Sequence, residues 1–319
     1  MPEAGAPATR VVVVGAGGLG SYVGSLLTRA GHDVDLVVRG AHGEAIRAHG
    51  LEVRTPEGSF VTRPRCVSPD EKPAPAQVVF LTVKAYSLDE VAPRVVALAR
   101  EGALVVPLLN GVDVAERLQA AGVPPQRIVD GVAYLTAFRT APGIIERKGI
   151  HQRLVIGSST GQSADRLEDV RALFGESPVE VVVADDIRVE LWLKMAVVCS
   201  LAMICGLTGS AIGPIRRHAF GPDLQERAIA EVLDVGRSVG VPLPDDAEAR
   251  VGGTLDGFPE DFYPSVLHDL RSGRRTEMDA LGGTVARLGR SVGVETPLAD
   301  AATCAVSLVE ARKRSDPGR

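Results

Sequence analysis

The chain has 319 residues, enough for one large domain or two medium-sized domains with substantial cores. A content of 45% hydrophobic and 24% charged residues is typical of a soluble globular protein. The formal net charge of −5 disfavours a nucleic-acid partner, and the basic run Arg312-Lys313-Arg314 is typical of a solvated helix end.

The N-terminal segment, residues 1–9, is rich in alanine, proline and glycine and lacks the apolar core of a signal peptide. We therefore expect a disordered leader. The cysteines are scattered and show no metal-ligand spacing, so we expect no metal site. We interpret them as reduced thiols of a cytoplasmic protein: Cys66, Cys199, Cys205 and Cys304.

A glycine-rich turn lies between the first predicted strand, residues 11–14, and a predicted helix at 19–30. Its sequence, Gly15-Ala16-Gly17-Gly18-Leu19-Gly20, matches the G-x-G-x-x-G pattern. Gly15 supplies the turn, Gly17 lets a pyrophosphate approach the backbone, and Gly20 lets the helix pack on the strand. Free N–H groups at the helix N-terminus suit the anion. The pattern predicts a dinucleotide site, with a ligand-free glycine turn as the alternative.

The second predicted strand, residues 33–38, indicates which dinucleotide is bound. In NAD-binding folds an acidic residue at the end of this strand binds the ribose 2′-hydroxyl. Here Val38 and Arg39 stand at that place, and a guanidinium suits a 2′-phosphate. Asp35 lies too early in the strand and is expected to face elsewhere. The sequence thus predicts NADPH/NADP+ over NADH, with an ordinary exposed loop cation as the alternative role of Arg39.

Strands and helices continue to alternate up to about residue 184. The further strands are predicted at 78–83, 103–109, 128–136, 143–146 and 154–156, and the helices at 88–100, 112–121 and 162–174. This alternation predicts an α/β fold, a Rossmann-type doubly wound parallel sheet with an antiparallel extension. We assign residues 10–184 to an NADP-binding domain.

From residue 185 onward the pattern predicts an all-helical C-terminal domain, residues 185–319. Helices are predicted at 187–207, 221–240, 245–255, 263–271, 276–291 and 297–312. Thr276 is a suitable N-cap because Asp279 follows three residues later. The most apolar stretch, residues 195–207, is too short to span a bilayer, so we expect no membrane partner.

Polar residues follow two of the predicted strands, at the sheet edge where open α/β sheets bind ligands. Lys84 follows the strand at 78–83, and Asn110 follows the strand at 103–109. Lys84 suits a phosphate or a substrate carboxylate, or it is a solvated lysine. Asn110 offers donors and acceptors to a cofactor amide or a substrate oxygen, but Asn110-Gly111 is equally a good turn.

Two further places with polar residues lie in the helical region. Lys194 precedes a long apolar stretch, and burial of an ammonium lowers its pKa, which suits a proton donor. An (i, i+4) pair with Glu190 is the alternative. The second place extends from Ser265 to the run Arg-Arg-Thr-Glu, which ends at Glu277. A glutamate near a helix N-terminus is also explained by the helix dipole.

Together these places resemble the 2-dehydropantoate 2-reductase (ketopantoate reductase) family. They occur in the family's order from about residue 10 to residue 310. The matching features are the glycine motif at 15–20, Lys84, the pair Asn110-Gly111, the pattern Trp192-x-Lys194 and the spacing from Ser265 to Glu277.

The resemblance implies NADPH-dependent reduction of a 2-keto acid, nominally 2-dehydropantoate to (R)-pantoate in pantothenate biosynthesis. Lys194 would contact the substrate and donate the proton, and Asn110 and Ser265 would position the substrate. Asn110, Lys84, Glu277 and the backbone of Ala137 would lie at the cofactor. The helical domain would serve substrate binding and dimerisation, which makes a homodimer the expected assembly.

One departure from the family concerns the substrate. Members usually have asparagines four and eight residues after the lysine, where this chain has Val198 and Ala202. The loss of these polar groups predicts a more apolar pocket, so a less polar carbonyl substrate is an alternative. A catalytically silent NADP-binding sensor or scaffold is a second alternative. A 3-hydroxy acid dehydrogenase is a third, which the Arg-Arg-Thr-Glu run disfavours.

Overall fold

The computed structural model describes residues 8–315, so residues 1–7 of the predicted leader lie outside the described part. The chain forms two compact units. Within the described residues, the first comprises 8–109 and 114–187, and the second comprises 110–113 and 188–315.

The first unit contains the strands and five of the helices. Its strands are β1 (Arg10–Val14), β2 (Asp33–Val37), β3 (Leu51–Thr55), β4 (Gly58–Thr62), β5 (Arg65–Val67), β6 (Val78–Leu81), β7 (Leu104–Pro107), β8 (Asp130–Ala141), β9 (Ile144–Gly157) and β10 (Glu180–Val183). Its helices are α1 (Gly18–Arg29), α2 (Gly40–His49), α3 (Leu88–Arg100), α4 (Val114–Ala120) and α5 (Ala164–Ala172). Short 3₁₀ turns occur at Ala85–Ser87 and Pro125–Arg127.

A five-stranded parallel sheet in the order β5-β2-β1-β6-β7 confirms the predicted Rossmann-type architecture. The central strand β1 is a valine run that is almost completely buried, as expected for a parallel strand covered on both faces. The chain leaves β1 for β2 on one side and later returns to β6 on the other. The order therefore reverses between β1 and β6, and ligands bind such sheets at this point, beyond the carboxyl ends of the strands.

The predicted antiparallel extension is wrong, because these strands form a separate mixed sheet in the order β10-β9-β3-β4, with β8 paired to β9. The strands predicted at 143–146 and 154–156 are one long strand, β9. The charged residues between them read as a loop, but antiparallel pairing with β8 continues across them. The pairing includes two register shifts, between Tyr134 and Thr136 and between Arg139 and Ala141.

The second unit is helical, as predicted. Its helices are α6 (Ile187–Thr208), α7 (Ile212–Arg217), α8 (Gly221–Ser238), α9 (Ala247–Asp256), α10 (Ser265–Arg271), α11 (Thr284–Val292) and α12 (Pro297–Ser315), with a π-helical turn at Asp279–Gly283. The core of this unit is built around α6, with buried residues that include Met195, Ile204 and Cys205.

Helix α6 is longer than the apolar stretch seen in the sequence. By length and composition alone it could cross a membrane, and more than half of its most apolar window is buried inside the protein. Because α6 packs within the core of its own unit, the structure accounts for its apolar character as that of a core helix.

The prediction that Thr276 caps a helix beginning at residue 276 is wrong. Residues 274–276 belong to neither a helix nor a strand, and the first helical turn is the π turn at Asp279–Gly283. The hydroxyl of Thr276 instead donates a hydrogen bond to a carboxylate oxygen of Glu310, at 2.8 Å. The same oxygen also accepts a longer local hydrogen bond from the N–H of Met278, at 3.4 Å, so the hydroxyl has a long-range acceptor in addition to a local donor.

Candidate functional site

The glycine motif forms the turn between β1 and α1, and its geometry explains three of its glycines. Gly15 has φ +110°, and a Cβ there would lie 2.8 Å from the backbone of Thr82 and Val83. A Cβ on Gly20 would lie 2.0 Å from the carbonyl oxygen of Gly15. At Gly17, by contrast, a Cβ would meet nothing within 4 Å. The space beside Gly17 is therefore open among the described residues.

Two contributions to this turn were not predicted. A Cβ on Gly18 would lie 1.9 Å from the carbonyl oxygen of Ala137 on β8, so only glycine allows that strand to pass so close to the start of α1. The hydroxyl of Thr82 donates to the Gly15 carbonyl at 2.7 Å. Thr82 thereby joins the end of β6 to the glycine turn. Its place two residues before Lys84 was the sequence signal that could have revealed it.

The structure fits a dinucleotide pyrophosphate at this turn. Gly17 is the N-cap of α1, and among the described residues no side chain caps that end of the helix. The first N–H groups of α1 are therefore available to an anion, beside the open space at Gly17. Ala16 and Leu19 pack against the core of the first unit and hold the turn in place.

Two charged residues, Asp35 in β2 and Arg39 just after it, bear on which dinucleotide the turn would prefer. Asp35 is buried and forms an ion pair with Arg65 of β5, with Nε of Arg65 2.6 Å from Oδ1, so it faces away from the strand end as predicted. Arg39 precedes α2, and its side chain is 73% exposed. It forms an ion pair with Glu90, with Nη2 3.5 Å from Oε1. This weak, exposed contact leaves the guanidinium able to meet a ligand.

Lys84 lies at the same edge of the parallel sheet as the glycine turn. It is half-buried and follows β6, which pairs with β1 up to Val14↔Leu81. Its carbonyl oxygen accepts a hydrogen bond from the N–H of Ser87 at 2.8 Å, which starts the 3₁₀ turn. The first unit therefore brings together the glycine motif, Ala137 and Lys84, and a role of Lys84 at a cofactor stays a prediction.

In the second unit, Lys194 lies half-buried on α6, and burial lowers its pKa to about 8. The charge of Glu277 opposes this effect and raises the pKa. Glu277 is only 4% exposed. The structure thus brings Lys194 and Glu277, which are far apart in sequence, within electrostatic range of each other. The (i, i+4) pair of Lys194 with Glu190 stays the alternative that the sequence suggests.

The other two predicted substrate residues have different surroundings. Asn110 is half-buried and belongs to the second unit, although it directly follows the strands of the first. Ser265 is exposed at the first position of α10. Substrate positioning by these two side chains stays a prediction.

Val198 and Ala202 follow Lys194 by one and two turns of α6. Val198 is half-buried and packs against the core of the second unit, whereas Ala202 is 1% exposed. Only Val198 of these two therefore retains surface that a ligand could contact.

Comparison with known proteins agrees with this architecture. The family model described as ketopantoate reductase PanE/ApbA matches residues 11–161, and the model for the C-terminal part of the same family matches residues 186–310. A 2-dehydropantoate 2-reductase from Mesorhizobium japonicum is 30% identical over 312 residues, which cover 92% of this chain and 95% of the relative.

Solved structures show the same fold. A PanE/ApbA family ketopantoate reductase from Ralstonia eutropha JMP134 superposes with a TM-score of 0.85 at 29% identity, covering 96% of this chain and 99% of that one. A D-mandelate dehydrogenase in complex with NADH and anilino(oxo)acetate superposes with a TM-score of 0.87, with the same coverages, at 22% identity. The second likeness concerns the fold alone.

Proposed function

The chain belongs to the ketopantoate reductase family, and from this we propose that it is an NADPH-dependent reductase of a 2-keto acid. The observation that carries the proposal is Lys194, a half-buried lysine whose pKa is lowered to about 8. A lysine in this state is mostly protonated at neutral pH and yet gives up its proton more readily than an exposed lysine.

Reduction of a carbonyl needs a hydride at carbon and a proton at oxygen. When bound, the nicotinamide cofactor supplies the hydride. Lys194 then donates a proton from Nζ to the carbonyl oxygen, so that C=O becomes CH–OH and the amine is left neutral. Its positive charge also stabilises the negative charge that develops on that oxygen.

The residues that would hold the cofactor follow from the turn at β1. Gly15, Gly17 and Gly20 with the N-terminus of α1 would bind the pyrophosphate, and Arg39 would bind the 2′-phosphate. Lys84, Asn110, Glu277 and the backbone of Ala137 would line the rest of the cofactor. Asn110 and Ser265 would position the keto acid.

For the substrate we propose 2-dehydropantoate as the reference compound, with a less polar 2-keto acid as a second candidate. Val198 favours the second candidate because it presents apolar surface where the family usually has an asparagine. A site without that polar partner gains little from a substrate hydroxyl. A place in pantothenate biosynthesis, a cytoplasmic location and a homodimer are parts of the same proposal.

The test is NADPH oxidation, followed by absorbance, with a panel of 2-keto acids that differ in the polarity of the side chain. We expect turnover with at least one of them. Tight binding of NADPH without turnover of any carbonyl compound would instead support a sensor or scaffold.

A further inference from the structure

The short segment between α10 and the π turn carries Glu277, and it has no helix or strand of its own. Residues 274–276 lie outside regular secondary structure. After this segment the carbonyl oxygen of Glu277 accepts a hydrogen bond from Leu281 at 3.1 Å, at the beginning of the π turn. Because residues 274–276 have no helix or strand partners, their backbone groups need hydrogen bonds from elsewhere to hold the segment in place.

These partners come from two acidic residues, Asp269 and Glu310. Asp269 on α10 holds Arg274: its backbone oxygen accepts from the N–H of Arg274 at 2.8 Å, and its Oδ1 accepts from Nε at 2.9 Å. Glu310 on α12 holds Thr276: its Oε2 accepts from the N–H at 3.0 Å and from the hydroxyl at 2.8 Å. The residue directly before Glu277 is thus fixed through both its main chain and its side chain.

Glu310 is a buried carboxylate whose oxygens both have partners. It is 8% exposed, and Oε1 lies 3.1 Å from Nη2 of Arg314, one turn later on α12. A buried carboxylate is costly unless it is bonded in this way. Replacing either of its partners would leave charge or polar groups unsatisfied in the interior.

Helix α12, which carries Glu310, packs closely against α6 and the π turn, so the position of Glu310 is fixed. A Cβ on Gly206 of α6 would lie 2.8 Å from Val306, and a Cβ on Gly282 of the π turn would lie 2.7 Å from the Thr303 hydroxyl. Lys313 donates from Nζ to the carbonyl oxygen of Leu270 at 3.0 Å, which joins α12 to the end of α10. The basic run at the end of the chain, read from the sequence as a solvated helix end, therefore has a packing role.

We propose that Glu310 is a positioning residue, which holds Thr276 and through it keeps the Glu277 carboxylate within electrostatic range of Lys194. Its importance for catalysis rests on the proposed function, but its effect on Lys194 does not. The charge of Glu277 acts on Lys194, and that of Glu310 does not. Glu310 therefore acts through the position of Glu277 and not through its own charge.

The experiment is an NMR titration of Lys194 in the cofactor-free full chain labelled with [ε-¹³C]lysine. The chain contains five lysines, so the spectrum is simple, and the Lys194 signal is the one lost in Lys194→Arg. Glu277→Gln sets the reference, because it removes the charge that raises the pKa. We expect Glu310→Met to lower the Lys194 midpoint by about half a pH unit. Added to Glu277→Gln, it should lower the midpoint no further.

Three further variants make the result specific. Glu310→Gln keeps an oxygen that can accept from Thr276 and should restore the midpoint towards that of the parent chain. Thr276→Val removes the hydroxyl bond to Glu310 and the long bond from the N–H of Met278, keeps the main-chain bond to Glu310, and should lower the midpoint. It decides the question if Glu310→Met does not fold. Glu226→Met removes an exposed carboxylate on α8 and should change nothing.

A Lys194 midpoint that is unchanged in folded Glu310→Met, or in Thr276→Val, while Glu277→Gln lowers it, would overturn the proposal. An unchanged midpoint in Glu277→Gln would also overturn it, because the electrostatic link would then be absent. None of these NMR titrations requires turnover. Their outcome can therefore be distinguished from a failure to find a keto acid substrate.

Discussion

The charge of Glu277 opposes the effect of burial on Lys194. Burial outweighs the charge of the buried Glu277 carboxylate, so the net result is a Lys194 pKa lowered to about 8. Without that carboxylate, the lysine would lose its proton at a lower pH. The balance between the two effects decides at which pH a proton donor is present.

The pair predicts the pH dependence of reduction. A proton donor must be protonated, so kcat/KM for the keto acid should stay level at lower pH and fall as pH rises through about 8. In Glu277→Gln the fall should begin at lower pH. The measurement is the pH profile of NADPH oxidation at saturating NADPH for both proteins. A fall at the same pH in both would contradict the coupling of Glu277 to Lys194.

Two neighbouring glycines should respond differently to alanine. In Gly17→Ala the new methyl group meets nothing in the protein. The melting temperature should not fall, but the Kd for NADPH should rise about tenfold because the pyrophosphate loses its approach. In Gly18→Ala the methyl group would lie 1.9 Å from the Ala137 oxygen. The backbone must move, which should cost about 1–3 kcal/mol of stability.

Thermal unfolding and cofactor titration of both glycine variants test this contrast. Unchanged NADPH affinity in a stable Gly17→Ala protein would exclude the pyrophosphate from this turn.

Arg39 should determine the preference for NADPH. In Arg39→Ala the Kd for NADPH should rise about tenfold and the Kd for NADH should stay the same, because only NADPH has the 2′-phosphate. Glu90→Gln should have the opposite effect on NADPH, since the Glu90 carboxylate lies 3.5 Å from the guanidinium. Fluorescence titration with both cofactors measures this, with Arg100→Ala as the control. Equal NADH and NADPH affinities, unchanged in Arg39→Ala, would refute the role of Arg39.

The sequence predicted the features of the fold that depend on residues close together in the chain. The valine run, the glycine motif and the long helical patterns are local signals, and α3 was predicted with its observed bounds. The placement of Asp35 away from the end of β2 was also predicted, from its position in the strand alone.

What the sequence could not show depends on residues far apart in the chain. Gly18 is required by Ala137, which only the fold places against it. Thr276 and Glu310 are 34 residues apart, and no spacing rule links them. The polar part of β9 has the composition of a loop, but it forms a strand because β8 pairs with it. The π turn after Glu277 likewise has no simple sequence pattern.

Val198 and Ala202 should differ in their tolerance of asparagine. Val198→Asn should raise kcat/KM for 2-dehydropantoate relative to unsubstituted aliphatic 2-keto acids, because it adds a partner for the hydroxyl at a half-buried position. Ala202→Asn should mainly destabilise the protein by about 1–3 kcal/mol, since position 202 is 1% exposed. Assays with both substrate types and thermal unfolding test the pair. An unchanged substrate ratio in Val198→Asn would place the substrate elsewhere.

The central claim is that Lys194 donates the proton, and the most direct measurement compares Lys194→Ala with the parent chain. With the best keto acid of the panel and saturating NADPH at pH 7, kcat should fall by about 10²–10⁴-fold while the Kd for NADPH is preserved. The control, Lys148→Ala, removes an exposed lysine of β9 and should retain full turnover. Turnover in Lys194→Ala equal to that of the parent chain would contradict the account.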